Sequence, residues 1–190
     1  AKTLGYNYDC YARPGAGNLR ILESVLSQAE SNENSLYVIG WTWIDRFDYK
    51  IDDADPLYRY DTAGWSTILP NHSDNKAEFY YRNLYSQFTD KLTTLAYIKL
   101  SVDTLKQKNI PFIMSYMDDL IFESQWHSTP AVAGMQNYIR PYMSTFQGKN
   151  FVDWSKNQHL PVSKSLHPLE AAHQAAADLV YQELDHWIKS

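Results

Sequence analysis

The 190-residue chain is long enough for one domain with a hydrophobic core, and its 44% hydrophobic and 21% charged residues are typical of globular rather than disordered proteins. A net charge of -5 argues against a nucleic-acid partner, which would require a basic face. No apolar stretch approaches the roughly 20 residues of a membrane-spanning helix, so we expect no membrane partner.

The single cysteine, Cys10, can form no internal disulfide, which favours a reducing, cytoplasmic compartment. The chain starts at Ala1 without an initiator Met, so a signal peptide is neither indicated nor excluded. We expect one soluble domain over residues 1–190. The sequence leaves its localisation and a homo-oligomeric state open.

Short apolar or aromatic runs bounded by turn residues predict the strands, and apolar residues every three or four positions predict the helices. The predicted strands are residues 6–11, 36–40, 111–116 and 151–153. The predicted helices are residues 19–29, 75–108, 130–143, and a last helix that opens at His167-Pro168, with Pro168 at its first position. Residues 41–71 show no periodicity and are expected to form a long irregular loop.

Strands that alternate with helices predict an α/β fold, with helices on both sides of a parallel sheet of four or five strands. This three-layer arrangement is flavodoxin-like. Binding sites in such sheets lie outside the carboxyl ends of the strands. In this chain those ends lead into residues 13–18, 40–71, 116–130 and 153–167.

His167 is the best candidate for a catalytic base, because it lies on that edge at the start of a helix. The alternative is a helix-entry residue that packs locally or is simply exposed. Asp118 and Asp119 follow a strand and are candidate site acids, although a helix cap or a solvated loop is the simpler interpretation. Asp153 follows the last predicted strand and is a candidate to orient His167.

The sequence predicts no metal and no cofactor. Only His167 and His173 lie close together among six histidines, and a spacing of six does not place two ligands on one helix face. No phosphate-binding loop is present. Gly15 and Gly17 before a helix match a dinucleotide turn in part, but the third glycine and the acidic residue are absent.

Many of the 28 aromatic residues lie between Trp41 and Trp65. One interpretation is a loop that packs on itself. The other is a platform on which a sugar or another flat ligand stacks. We expect ligand contacts from residues on the same sheet edge, namely Asn18, Trp41, Trp43, Arg46 and Asp118.

Three of the loops resemble the SGNH (GDSL-type) hydrolase family, in particular divergent members from marine phage and environmental sequences. Residues 12–18 (ARPGAGN) resemble the family's second block, with Gly15 as the oxyanion-hole glycine. Residues 38–43 (VIGWTW) resemble the third block, with Thr42 in place of the family's Asn and Trp43 in place of its Asp. Residues 163–168 (SKSLHP) resemble the last block, with Lys164 in place of its Asp.

The family's first block, Gly-Asp-Ser, occurs nowhere in the chain, and residues 1–5 resemble the end of the helix that follows that block. The resemblance therefore implies a chain truncated by one strand and one helix. In this family the first strand lies between the second and third. We expect the strand at residues 6–11 to pair directly with that at 36–40 unless a partner chain fills the gap.

The resemblance implies a serine ester hydrolase that acts on a small-molecule or glycan ester, with His167 as base and Gly15 and Thr42 as oxyanion-hole donors. It also implies that this chain, without the nucleophile, is inactive. The alternative is a non-catalytic glycan-binding or virion-associated domain of the same fold.

Overall fold

The computed structural model describes residues 7–31, 34–50, 64–164 and 166–189. The fold is mixed α/β, and about half of the residues are helical. Its elements are α1 (Asn18–Ser31), β1 (Tyr37–Trp41), β2 (Phe47–Lys50), β3 (Trp65–Ile68), α2 (Asn75–Asn83), α3 (Gln87–Gln107), β4 (Phe112–Tyr116), α4 (Pro130–Ile139), α5 (Phe151–Asn157), α6 (Glu170–Gln182) and α7 (Leu184–Trp187).

The centre of the fold is a parallel pair of strands, β1 and β4, in register from Tyr37 opposite Phe112 to Trp41 opposite Tyr116. On its other side, β4 forms only single bridges, parallel to Met143 and antiparallel to Lys189. Within the described ranges, the parallel sheet therefore has two strands. The α/β class is confirmed, and the predicted four or five strands are not seen.

Two predicted strands are not strands in the structure. Residues 7–11 have no regular secondary structure, and Tyr6 lies outside the described residues. Residues 151–153, predicted as a strand, begin α5 instead, because the Asn150 side chain accepts a hydrogen bond from the Asp153 backbone N–H and caps the helix. A short apolar run such as Phe-Val does not distinguish a helix from a strand.

The predicted helix at residues 75–108 is two helices. Asp74 caps α2, and Ser86 caps α3 by accepting a hydrogen bond from the Thr89 backbone N–H. Phe79 and Leu84, five residues apart in the predicted apolar stripe, are both exposed. That step of five, which no α-helical face accommodates, marks the break between the helices.

Two other segments also differ from the prediction. The segment predicted as an irregular loop contains the antiparallel pair β2–β3, with Phe47 opposite Ile68, while residues 51–63 lie outside the described part. The last helix starts at Glu170 rather than at His167, because Pro168 forms an isolated bridge with Val162.

The core lies on both faces of β4. On one face, α1, α3 and α4 pack against the sheet through a large buried cluster that includes Val25, Trp41, Leu95, Val102, Met114 and Val132. On the other face, Ile113 packs with Phe146, Trp154, Ala176 and Trp187. β1 is covered on one face only, since Val38 is 74% exposed on the other.

An aromatic cluster fills the corner between the β2–β3 hairpin and α2. Phe47 stacks on Tyr80 with ring centroids 4.4 Å apart, and Tyr81 and Tyr85 complete the cluster. At its base, one carboxylate oxygen of Asp90 is buried without a hydrogen-bond partner. Burial raises the pKa of Asp90 to about 6, and the nearby Asp45 carboxylate contributes to the same shift.

This raised pKa predicts a pH-dependent stability. Between about pH 4 and pH 6, the folded chain holds on Asp90 a proton that the unfolded chain has released. The protonated Asp90 carboxyl contributes its full stabilisation of the fold below the pKa that Asp90 has in the unfolded chain. This contribution is lost as the pH rises through about 6. We therefore expect the melting temperature to fall from about pH 5 to about pH 8 more steeply in the wild type than in Asp90→Asn.

Thermal melts followed by circular dichroism at both pH values measure this difference. The control is Asp185→Asn, because Asp185 is exposed. Equal slopes for the wild type and Asp90→Asn would show that Asp90 titrates as it does in the unfolded chain.

Candidate functional site

A cleft of about 310 Å³ opens at the carboxyl ends of β1 and β4. The Met117 N–H donates to the Trp41 carbonyl at 3.0 Å and carries the parallel pairing just past both strands. The polypeptide then diverges on each side, as expected at the site edge of an α/β sheet. The residues that line the cleft include Trp43, Asp119, Asn150, Asp153, Lys156 and Leu166.

Asn18, predicted as a ligand contact, is buried and holds the end of β1. Its Oδ1 accepts from the Thr42 N–H at 2.9 Å, and its Nδ2 donates to the Thr42 carbonyl and to Thr94 Oγ1, each at 3.2 Å. The Asn18 amide thus makes the hydrogen bonds to the Thr42 backbone that a neighbouring strand would otherwise make. Thr42, the predicted oxyanion donor, is itself buried at this point.

Asp48, which sequence reasoning missed, anchors the loop before α1. Its buried carboxylate accepts from the Gly17 N–H and the Arg20 N–H, both at 2.9 Å, and from Thr67 Oγ1 at 2.6 Å. It therefore supplies the acceptor that caps the N-terminus of α1 from a distant strand. No local sequence signal identifies such a cap, because Asp48 lies 31 residues from Gly17.

Asp118, predicted as a ligand contact, ties the loops after the two strands together. Its Oδ2 accepts from the Ile44 N–H and its Oδ1 from the Leu120 N–H, both at 3.0 Å. Burial raises the pKa of Asp118, while the two backbone donors oppose that shift. The carboxylate oxygens thus serve the scaffold, and Asp119, which is exposed, faces the cleft.

Trp43, which lines the cleft, contacts two other predicted residues, Arg46 and His167. The Arg46 guanidinium lies 4.8 Å from the centroid of the Trp43 ring, and its Nη1 donates to the Ala16 carbonyl at 3.1 Å. Burial lowers the pKa of Arg46. The His167 ring meets Trp43 edge-on, with centroids 6.4 Å apart.

His167 is exposed, but its backbone is fixed. The Ser163 N–H donates to the His167 carbonyl at 2.8 Å, and the His167 N–H donates to Ser163 Oγ at 3.0 Å. Between them, Leu166 adopts a left-handed conformation with φ 61°, which costs energy for a side chain of this size and is common near functional sites. This tight loop presents His167 to Trp43.

The remaining predicted residues are placed differently. Trp41, predicted as a ligand contact, has no exposed surface and belongs to the hydrophobic core. Gly15 adopts φ 75° in the turn before α1, a conformation that glycine favours. Asp153, the predicted orienting acid, contacts Asn150 and Lys156, and no described residue links it to His167.

No family model matches this chain, and neither a curated protein nor a solved structure matches it significantly. Among the described residues, no group of three or more His, Cys, Asp or Glu side chains is arranged to hold a metal ion. No helix in the same ranges is long and apolar enough to cross a membrane.

Asp48 and Arg46 lie so close to Gly17 that an added methyl group should lower the stability of the fold. A Cβ at Gly17 would lie 2.6 Å from the Asp48 carboxylate oxygen and 2.8 Å from the Arg46 carbonyl, so Gly17→Ala must displace both. We expect it to lower the free energy of unfolding by about 1–3 kcal/mol in urea denaturation.

Gly134→Ala is the matched control, because a Cβ there meets nothing within 4 Å and alanine favours the helix. We expect this variant to gain about 0.5–1 kcal/mol. A Gly17→Ala protein as stable as the wild type would show that the loop before α1 is not held as described.

Proposed function

We propose that this cleft belongs to an ester-hydrolase site of the SGNH type, with His167 as the general base and a small-molecule or glycan ester as the substrate. The observation that carries the proposal is the meeting of His167 with Trp43, from the last and third of the blocks that resemble the family. Asn18, from the second block, holds Thr42 beside them. Three distant segments thus contribute to one edge, as that resemblance implies.

The proposed chemistry is acyl transfer. His167 removes the proton from a hydroxyl nucleophile as its oxygen attacks the ester carbonyl, and the resulting oxyanion accepts hydrogen bonds from donors of the Gly15 and Thr42 segments. The protonated imidazole then donates the proton to the departing alcohol. Water hydrolyses the acyl intermediate by the same sequence and restores the hydroxyl.

The family's nucleophile is a serine on a strand of its own, and the chain contains no Gly-Asp-Ser. The second edge of β1 favours the addition of such a strand. Among the described strands, β1 pairs with β4 alone, and its exposed Val38 departs from the rule that parallel strands are buried on both faces. We propose that a further strand pairs here and completes a three-layer α/β/α fold.

The test of His167 is hydrolysis of p-nitrophenyl acetate by the 190-residue chain. Because the chain lacks the family's serine, we expect only a slow hydrolysis in the wild type, in which His167 deprotonates an attacking water. This rate should fall about 100-fold, or to the background rate, in His167→Ala, because general base catalysis contributes on this scale. The matched control is His186→Ala. His186 is equally exposed and lies on α7, so its removal should leave the rate unchanged.

Two results would exclude the proposed role of His167. Equal rates in the wild type and His167→Ala would remove it from the mechanism. An equal loss in His186→Ala would show that any exposed imidazole reacts with the activated ester.

A second candidate function is a non-catalytic domain that binds a glycan at the same cleft. It is favoured by the contacts of Asp153, whose carboxylate is engaged by Asn150 and Lys156, and by the absence of any described carboxylate bonded to the His167 ring. A base without an orienting acid is a poor catalyst. Hydrolysis of p-nitrophenyl acetate at no more than the background rate, in a chain that binds a saccharide, would support this non-catalytic function over ester hydrolysis.

A further inference from the structure

We infer that the cleft contains a saccharide subsite, in which Trp43 stacks on a neutral sugar ring and the carboxylates of Asp119 and Asp153 accept hydrogen bonds from its hydroxyl groups. The inference rests on the proposed function for the location of the site and names its substrate class. It is independent of turnover, because a sugar binds here whether or not His167 acts as a base.

A buried amide holds a pair of carboxylates in place at the cleft. Asn150 is 5% exposed, and its Nδ2 donates to Asp119 Oδ2 at 3.0 Å and to Asp153 Oδ2 at 2.9 Å. Its Oδ1 accepts from the Asp153 N–H at 2.9 Å. Both protons of the amide are therefore used within the protein and go to the Oδ2 atoms, while Asp153 Oδ1 lies 3.8 Å from Lys156 Nζ.

This geometry suits a diol. Neighbouring hydroxyl groups of a sugar ring are two donors held a fixed distance apart, and two carboxylates with fixed orientations accept from both without loss of side-chain entropy. Lys156, whose Nζ lies 3.8 Å from Asp153 Oδ1, adds a donor for a hydroxyl or ring oxygen.

An apolar wall lies beside the carboxylates and does not depend on them. The Trp43 ring borders the cleft, and the Arg46 guanidinium lies 4.8 Å from the centroid of this ring. The C–H face of a pyranose ring is the kind of surface that stacks on an indole. Leu166, which is also exposed, extends this wall at the mouth of the cleft.

The lining of the cleft carries an excess of negative charge. Asp118, Asp119, Glu123 and Asp153 line the cleft together with a single described cation, Lys156. A uronic acid or another anionic sugar would meet four carboxylates against this one lining cation, which opposes binding. The cleft therefore selects neutral sugars against acidic ones.

The experiment is a titration of the ¹⁵N-labelled chain with methyl β-D-glucopyranoside, methyl β-D-galactopyranoside, methyl α-D-mannopyranoside and the anionic methyl β-D-glucuronide. The reporters are the Nε1–H signal of Trp43 and the side-chain amide signals of Asn150. We expect saturable shifts with at least one neutral glycoside below roughly 100 mM, since isolated sugar rings bind in the millimolar range. The glucuronide should bind at least tenfold more weakly.

Two variants test the stacking surface and the carboxylates separately. Trp43→Ala should abolish the shifts, whereas its matched control Trp126→Ala, which removes a 67% exposed indole outside the lining of the cleft, should leave them unchanged. Asp119→Asn keeps the shape of the side chain and removes the charge, so we expect about tenfold weaker binding. Because Asp119 is exposed, this variant tests the subsite even if Trp43→Ala does not fold.

Three results would overturn the inference: no shift with any neutral glycoside, unchanged binding in both Trp43→Ala and Asp119→Asn, or a glucuronide that binds as tightly as the neutral sugars. His167→Ala separates this inference from the proposed function, because it should abolish ester hydrolysis and leave the shifts intact. If hydrolysis depends on His167 but no neutral glycoside shifts the Trp43 and Asn150 signals, the saccharide subsite is refuted while the ester-hydrolase proposal stands.

Discussion

The side-chain amide of Asn18 is the interaction on which the rest of the site depends. It accepts from the Thr42 N–H and donates to the Thr42 carbonyl, at the point where β1 leaves its pairing with β4. A buried backbone group without a partner costs about 1–3 kcal/mol, so without this amide the end of β1 would have to turn toward water. The same Nδ2 atom also donates to Thr94 Oγ1, so the buried Asn18 amide connects α1 with α3 and with the residue that follows β1.

Other buried polar side chains around the cleft hold loops by hydrogen bonds in the same way. Asp48 holds the loop before α1, Asp118 joins the loops that follow β1 and β4, and Asn150 joins the start of α5 to Asp119. In each case a buried polar side chain reaches a segment distant in sequence. Loops held in this way need not be ordered when a ligand binds, which lowers the entropic cost of binding.

The sequence pattern predicted β1, β4, α1 and α4 well, because each is an apolar run or stripe bounded by turn or capping residues. It failed at residues 151–153, where the cap at Asn150 selects a helix over a strand. His167 and Trp43 were both placed at one sheet edge by the sequence, but for His167 this rested on a strand at residues 151–153 that is a helix in the structure, and their contact was not predicted. The contacts of Asp48 with the loop before α1 and of Asn150 with Asp119 were not predictable, because these partners are distant in sequence and leave no local pattern.

Adjacent residues at the two strand ends divide between scaffold and cleft. Trp41 completes the core while Trp43, two positions later, borders the cleft, because β1 ends between them and the alternation of faces stops. Asp118 is buried against backbone donors, whereas Asp119 is exposed at the cleft. Proximity to a strand end in the sequence therefore does not by itself assign an aromatic or acidic side chain to the cleft, because the neighbouring residue of each pair is taken up by the core or by backbone donors.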